Sequence, residues 1–440
     1  MDTLRIPCGN FEWIRRIQAA FSPSQPDPGG LATVGHLEMV EGQSPTQHYD
    51  GSFAERLESA RKRQEIQAFL WRITSMTVAC ESSGGLRGAV ACIRACGRLR
   101  TLRFDFPVEA RPQDIQSALQ LLQFGVPQTL EDLEIRMASY NTETVDVLAS
   151  TWGDICSRAG SLTTLTVPLD ILETAWTRRY PLARLRGLRS LVITHRLSSR
   201  LFSHPAHDTM VLPGLHSLYI AGRPMECASV LRGLNFLKTA TLSCNLPTNL
   251  GTALRSIVQT CPQLCSVSLE FGGTSDQRYE VDWTPLLQLR QIEEFLITYP
   301  YTLPFTDHDL RDMLTHWPGL RRLSLNPSPA HLTPMPMLSI SSLITVAQSG
   351  PRLLHLEAYM DCRAPFNIQA NDAIQSWEND LTLQLGSSAG DVQDIPMFVA
   401  SILRLFPNIR LVNERCSAWA MQVGRKVGRV QEERAGWIHN

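Results

Sequence analysis

The chain has 440 residues, with 41 Lys and Arg against 42 Asp and Glu, 43% apolar and 7% aromatic residues. That length allows two or three ordinary domains or one long repetitive one. The charge balance lacks the strongly basic face of a dedicated nucleic-acid binder, the apolar content excludes a disordered chain, and no run approaches the roughly 18 apolar residues of a membrane-spanning helix.

The opening residues, Met1-Asp2-Thr3-Leu4-Arg5-Ile6-Pro7-Cys8, have no basic stretch leading into an apolar run. Eleven cysteines at irregular spacing read as reduced, mostly buried thiols. Both features set the expectation of an intracellular protein, cytoplasmic and/or nuclear. Phe11, Ile14, Ile17 and Phe21 have the spacing of a short amphipathic helix, and residues 22–30, rich in Pro, Ser and Gly, read as a linker. Val34, Leu37 and Met39 form a weak strand motif ahead of a polar loop over 41–52. Residues 1–60 are therefore expected to hold an N-terminal helix, a linker and a degenerate cap repeat.

From residue 61 to 415 one pattern recurs: apolar-x-x-apolar-x-apolar, usually led by Leu. It begins at Ile73, Leu99, Leu130, Leu162, Leu188, Leu215, Leu237, Leu264, Ile292, Leu320 and Leu353, at intervals of 22 to 33 residues that average 28. Ile409 follows two periods after Leu353, with Leu381-Thr382-Leu383-Gln384-Leu385 between them. Alternation over the last three positions makes a short strand with one face buried. Helical spacing fills several of the gaps, as in Ile115, Leu119 and Leu122; Val145, Leu148, Trp152 and Ile155; Leu254, Ile257 and Val258; Leu310, Met313, Leu314 and Trp317; and Ile395, Val399, Ile402 and Phe406. A strand plus a helix or turn cannot bury its own apolar face, whereas parallel stacking of such units does. The expected class is α/β: a solenoid shaped as a curved horseshoe, with parallel strands on the concave face and helices or turns outside.

The hinges carry a more specific likeness. Cys261-Pro262-Gln263-Leu264-Cys265-Ser266-Val267-Ser268-Leu269, Trp317-Pro318-Gly319-Leu320-Arg321-Arg322-Leu323-Ser324-Leu325 and Phe406-Pro407-Asn408-Ile409-Arg410-Leu411 each end a helix on an apolar residue, stop it with Pro and start the strand. Gly350-Pro351-Arg352-Leu353 and Cys96-Gly97-Arg98-Leu99 are variants. Over about residues 60–415 the chain resembles the leucine-rich-repeat family, in particular the long irregular repeats of fungal-type F-box proteins. The resemblance implies a module that holds a target protein while an F-box docks onto a Skp-type ubiquitin-ligase adaptor. Two departures stand out. The family's Asn or Cys three residues after the last strand position occurs cleanly only at Asn245, so no Asn ladder is expected to run the array's length. No Leu-Pro-x-Glu-like phrase stands in residues 1–60, so the F-box is expected to be absent or truncated.

Motifs that carry chemistry are sparse. His195, His204, His207 and Asp208 form one polar cluster, read as an exposed loop because nothing fixes ligand directions for a metal. Cys92 and Cys96, like Cys261 and Cys265, are one residue too wide for a zinc hook and read as core thiols. Asp132 with Glu134, and Glu293 with Glu294, are solvated pairs rather than an acid/base dyad. No nucleophile elbow or phosphate loop occurs. Arg425, Lys426, Arg429 and Arg434 mark a basic C-terminal tail over 416–440, read as a solvated helix. No catalytic residue, metal, cofactor, nucleic acid or membrane is expected.

What remains is the outward face of the strands, read by alternation. It presents Thr101, Arg103 and Asp105; Asp132, Glu134 and Arg136; Thr164 and Thr166; Tyr219; Thr239, Thr241 and Ser243; Ser266, Ser268 and Glu270; Glu294 and Thr298; Arg322, Ser324 and Asn326; and His355, Glu357 and Tyr359. Arg103, Glu134, Tyr219, Thr241, Ser268, Glu294, Arg322, His355 and Tyr359 are the candidate partner-binding residues. Long connections after strands, at 195–210, 272–282 and 326–339, are expected to gather along one rim beside them. The expected function is protein–protein interaction without catalysis, with the substrate-recognition part of an F-box-like ubiquitin ligase as the finer reading. A plain scaffold is the alternative, and a hydrolase with a rim-loop site a remote one.

Overall fold

The computed structural model describes residues 2–8, 34–41, 64–79, 89–90, 92–106, 113, 116, 127–137, 159–168, 170–172, 185–194, 212–231, 234–245, 247–272, 282–333, 335–363, 380–390, 395–412 and 417–438. They divide into two compact units, Met1–Tyr219 and Ile220–Asn440. The helices expected around 11–21, 115–122 and 145–155, the His195–His207 cluster and most of the 272–282 connection lie outside the described residues.

In the first unit, strands β1 (Asp2–Cys8), β2 (Val34–Glu41), β3 (Ser75–Ala79), β4 (Thr101–Phe106), β5 (Asp132–Met137), β6 (Thr164–Pro168) and β7 (Ser190–Thr194) lie side by side in chain order. Each is parallel to the next. Helix α1 (Gln64–Arg72) precedes β3. The stack starts before the copy at Ile73: β1 carries the same spacing in the sequence at Met1, Leu4 and Ile6, and β2 buries Leu37 and Met39 completely. Strand β8 (Ser217–Ala221) contains the division between the units.

The second unit repeats the arrangement with helices between the strands. Helix α2 (Pro224–Leu231) leads to β9 (Thr239–Cys244), α3 (Leu250–Thr260) to β10 (Ser266–Phe271), and a 3-10 turn (Thr284–Gln288) to β11 (Glu294–Thr298). Then α4 (Asp307–His316) leads to β12 (Arg322–Leu325) and α5 (Ser342–Ser349) to β13 (His355–Ala358). Strands β14 (Asp361–Cys362), β15 (Thr382–Gln384) and β16 (Ala389–Gly390) follow, then α6 (Ile395–Leu405), β17 (Arg410–Leu411) and α7 (Ala418–Ile438). The parallel order is β9, β10, β11, β12, β13, β15, β17, and β14 pairs separately with β16.

The repeat motif explains this geometry atom by atom. Its leading residue is buried in every copy, from Ile73 at 0% exposure to Leu320 at 2%. The leading amide closes a turn onto the carbonyl three residues back, as Leu130 does to Pro127 (3.1 Å), Leu264 to Cys261 (3.3 Å) and Leu320 to Trp317 (3.0 Å). The carbonyl of the next residue then accepts two amides from the following repeat. Arg100 takes those of Glu131 (2.8 Å) and Asp132 (2.9 Å); Glu293 takes those of Arg321 (2.7 Å) and Arg322 (3.0 Å). The polar backbone at the strand starts is thus satisfied by the neighbouring repeat, as close stacking requires.

Helices pack on the inward side of the strands. α3 buries Leu250, Leu254, Ile257 and Val258. α4 starts at a capping box in which Thr306 Oγ1 accepts the Asp309 amide (3.2 Å) and Asp309 Oδ2 accepts the Thr306 amide (2.8 Å). It ends at Trp317, whose ring lies 5.2 Å from that of the strand residue Phe295 and whose Nε1 donates to Leu286 O (3.3 Å). α6 buries Ile395, Val399 and Ile402 as its spacing predicts. The basic run read as a solvated helix lies on helix α7, which also has a packed face. α7 buries Trp419, Val423 and Val427, while Arg425, Lys426 and Arg429, with Met421, Glu432 and Glu433, are exposed.

One carboxylate ties consecutive repeats together. Asp307, the first residue of α4, accepts the Ser339 amide (2.9 Å) and the hydroxyls of Ser339 (2.6 Å), Ser342 (2.6 Å) and Ser341 (3.2 Å) at the start of α5. Burial pushes its pKa up, but these hydrogen bonds to the ionised form outweigh that, and the net shift is downward. A folded-state pKa below the unfolded one adds stability above about pH 4, which is lost as pH falls through the folded value. Asp307→Asn should therefore lower stability at neutral pH, with the deficit shrinking below about pH 4; urea denaturation across pH 3 to 7 reads this. A second expectation concerns the core. Leu323 and Leu356 are 0% exposed, so replacing either by Ala should cost about 2–5 kcal/mol in chemical denaturation. Leu354→Ala, at a position 37% exposed, should cost far less.

Candidate functional site

Parallel register turns the outward strand residues into rows. In the second unit one row runs Thr239, Ser266, Glu294, Arg322, His355, Thr382, Arg410. The next runs Thr241, Ser268, Leu296, Ser324, Glu357, Gln384. Neighbours in a row sit about 4.8 Å apart, the spacing of adjacent strands. Glu294, Arg322 and His355 are therefore consecutive in one row, and Thr241 and Ser268 adjoin in the other.

The chemistry of these rows centres on Glu357. Its Oε1 accepts from Arg322 Nη2 (3.0 Å) and its Oε2 from Ser324 Oγ (2.9 Å). Glu294 accepts from Ser266 Oγ (3.0 Å). Arg322 Nε is buried and has no hydrogen-bond partner among the described residues, although the side chain as a whole is 43% exposed. Alternation also places Leu296 outward, half-buried, an apolar floor between Ser268 and Ser324.

In the first unit Arg103 and Glu134 are register partners, as are Asp105 and Arg136. Arg103 Nε donates to both Asp105 oxygens (2.9 and 3.0 Å) and lies 3.8 Å from Glu134 Oε2, while Arg136 Nε donates to Glu134 Oε1. These hydrogen bonds, led by Asp105, raise the Arg103 pKa further. Burial, with the nearby Glu134 charge, pushes the Asp132 carboxyl up. Tyr219 is half-buried in β8.

Several expected outward residues turn inward. Tyr359 is only 7% exposed, because β13 ends at Ala358 and the alternation stops with it. Its ring lines a small cavity with Phe305, Leu325 and Leu338. Tyr359 is therefore removed from the candidate surface. Asn326 is 4% exposed for a related reason: it follows the last residue of β12 with φ of 49°, which swings the side chain under the rim. There its Oδ1 accepts the Tyr299 amide (3.0 Å) and its Nδ2 donates to Tyr301 O (2.7 Å). Ser324, at 3%, and Thr166, at 9%, are also buried. Asn245, at the family's Asn position, is exposed. Among the described residues the buried Asn is Asn326; Asn245 also stands one step past its strand, and what sets Asn326 apart is its left-handed φ, which Asn tolerates.

The rim after the strands is built as well. Phe271, Tyr299 and Tyr301 form a chain of ring contacts (5.7 and 5.6 Å), and His331 stacks on Tyr301 at 4.5 Å. The 326–339 connection is anchored at Gly386, whose φ of +52° and close approach to Pro327 O leave no room for a Cβ. Leu332, Met335 and Met337 of that connection are exposed. Cys92, Cys96, Cys227, Cys244, Cys261 and Cys362 are buried free thiols, with Cys96 pushed up to about 12 by burial. Cys265 departs from the expected core position: it is half-exposed, because it supplies the turn carbonyl that the next repeat uses. Among the described residues no group of three or more His, Cys, Asp or Glu is placed to hold a metal ion, and no helix is long and apolar enough to cross a membrane.

No protein-family model and no curated protein matches the chain. Among solved structures it is similar to the leucine-rich repeat-containing protein LegL7 from Legionella pneumophila, with 12% identity and a TM-score of 0.37, over 73% of this chain and 89% of that one. The fold itself is legible in the register: parallel strands in chain order, most of the described ones preceded by the same turn, make a leucine-rich-repeat solenoid of each unit.

The Arg322–Glu357 pair makes an asymmetric expectation. Arg322 already leaves one buried donor unsatisfied, so Arg322→Met should change stability by about 0.5 kcal/mol or less. Glu357→Leu strands both Arg322 and Ser324 and should cost about 1–3 kcal/mol. Urea denaturation of the two variants side by side measures the difference.

Proposed function

We propose that the chain is a non-catalytic protein-interaction module that holds a protein target on the outward face of its strands. The observation that carries this reading is Arg322: a guanidinium braced by Glu357, flanked in register by exposed Glu294 and His355, and kept with an unsatisfied buried Nε. A polar group that costs stability on an accessible face is retained for something other than folding. Arg is also among the residues that dominate interaction energies. Glu294, His355, Thr241 and Ser268 supply adjoining contacts in this unit. Arg103 and Glu134, with Tyr219, supply a separate charged set in the first. The exposed Leu332, Met335 and Met337 give the rim the adaptable apolar surface that partner-binding proteins use.

The finer reading is that the target is a substrate delivered to a ubiquitin ligase inside the cell. It rests on the likeness of the Trp317-Pro318-Gly319-Leu320 and Phe406-Pro407-Asn408-Ile409 hinges to F-box-type repeats, and it requires a Skp-type adaptor. The free, buried thiols suit a reducing compartment. A scaffold without any link to ubiquitin is the competing reading.

Proximity labelling of the wild type against Tyr219→Ala and Arg322→Glu tests the surface. Both variants should fold normally, and Arg322→Glu should lose its main partners, because a carboxylate there would face Glu357 and Glu294. Retention of every partner by both would remove the outward face as the binding surface. Co-purification of adaptor and cullin with the wild-type chain separates the receptor from the scaffold.

A further inference from the structure

The terminal strand of the second unit borders a cleft that the outward rows do not account for. Among the described residues the sheet has no strand beyond β17, and α7 stands beside its edge. Between them lies a cavity of about 550 Å³, lined by Thr382 and Arg410 from the strands, by Asp380 just ahead of β15, and by Gly424, Gly428 and Gln431 from the helix.

Three features of this cleft point the same way. The first is its backbone. Arg410 N donates to Leu381 O (2.8 Å) and Val412 N to Leu383 O (3.0 Å), so β17 spends its even-numbered residues on β15. In a parallel strand the alternate residues then point to the opposite edge. Of these, Ile409 O accepts from Gln431 Nε2 (2.8 Å), whereas the Leu411 N–H and C=O face the cleft without a partner among the described residues. The second is the helix wall. A Cβ on Gly428 would meet nothing within 4 Å, so no close packing demands glycine there, in a helix interior that glycine weakens. The side chain it lacks is what would otherwise fill the cavity. The third is charge. Arg410 is exposed, lines the cleft together with Asp380, and has no ion pair among the described residues.

A strand edge that α7 caps only at Ile409 and Pro407, a helix wall with glycines at Gly424 and Gly428, and a guanidinium without an ion pair among the described residues together fit one kind of occupant. We propose that this cleft is a second binding site, which takes an extended peptide segment of another protein as an added strand on β17, with an acidic side chain set against Arg410. Main-chain hydrogen bonds to Leu411 supply affinity and the Arg410 contact supplies selectivity, as in other strand-addition complexes. The site uses none of the residues of the outward rows around Arg322, so the two surfaces stand or fall separately.

The test is selection of a phage-displayed library of random dodecapeptides on the full chain, followed by anisotropy titration of the fluorescein-labelled winners. The expected winners carry Asp or Glu within a run of β-branched or aromatic residues. They should bind Gly428→Phe about tenfold or more weakly and keep their affinity for Arg322→Glu. Selection on Arg410→Glu, an exposed position that folding does not depend on, should yield Lys- or Arg-bearing peptides instead. Circular dichroism of Gly428→Phe should show helix content at or above that of the wild type. Absence of any enriched peptide, equal binding to Gly428→Phe, or an unchanged charge preference on Arg410→Glu would each overturn the proposal.

Discussion

The structure depends on a carbonyl that is used twice. In nine successive-repeat junctions among the described residues, the residue after the buried leading position accepts two amide hydrogens from the next repeat, at 2.7–3.0 Å. Thr74, Arg100, Glu131, Thr163 and Arg189 do so in the first unit, and Lys238, Cys265, Glu293 and Arg321 in the second. The side chains in this column range from Thr to Arg, since only the backbone is needed. A leading apolar residue fixes where the turn sits, the doubled carbonyl fixes where the next turn sits, and strand register follows from both. At the far end the doubling lapses: Leu354 and Leu381 each accept a single amide, and the strands shrink to three and two residues.

Register in turn decides what the outward face is chemically. It brings Arg103 to Glu134 and Arg136 to Asp105 in one unit, and sets Glu294, Arg322 and His355 in a line in the other. None of these neighbours is close in sequence; each pair is about one repeat apart. The same stacking lets one carboxylate, Asp307, collect hydroxyls from the head of the following helix. Interaction surfaces on such an array are thus written one residue per repeat, with the backbone carrying the stability and the outward side chains left free to vary.

The sequence made much of this readable because burial and period coincide. Every leading position identified from the pattern is buried, and α3, α4 and α6 carry the apolar faces their spacing predicts. The errors have a common physical source, which is that alternation holds only inside a strand. β12 and β13 are four residues long, so Asn326 and Tyr359 sit one step past their ends, where the chain turns inward. β1 carries the spacing only with Met1 in place of the leading Leu. In α7 the helix follows from the sequence, and its packed face is the stripe of Trp419, Val423 and Val427 at a spacing of four, interleaved with the basic residues. The Arg322 brace was half legible: alternation turns Arg322 and Glu357 outward, and only the register shows that they are diagonal neighbours.

The register of the outward rows is tested most directly by paired cysteines. Thr241 and Ser268 are register partners on adjacent parallel strands, about 4.8 Å apart between Cα atoms, within the roughly 4.4–6.8 Å a disulfide spans. Thr241→Cys with Ser268→Cys should form that disulfide on mild oxidation, read as a linked peptide by mass spectrometry. Thr241→Cys with Glu270→Cys, one row out of register, should not. Cross-linking of the second pair in preference to the first would contradict the account.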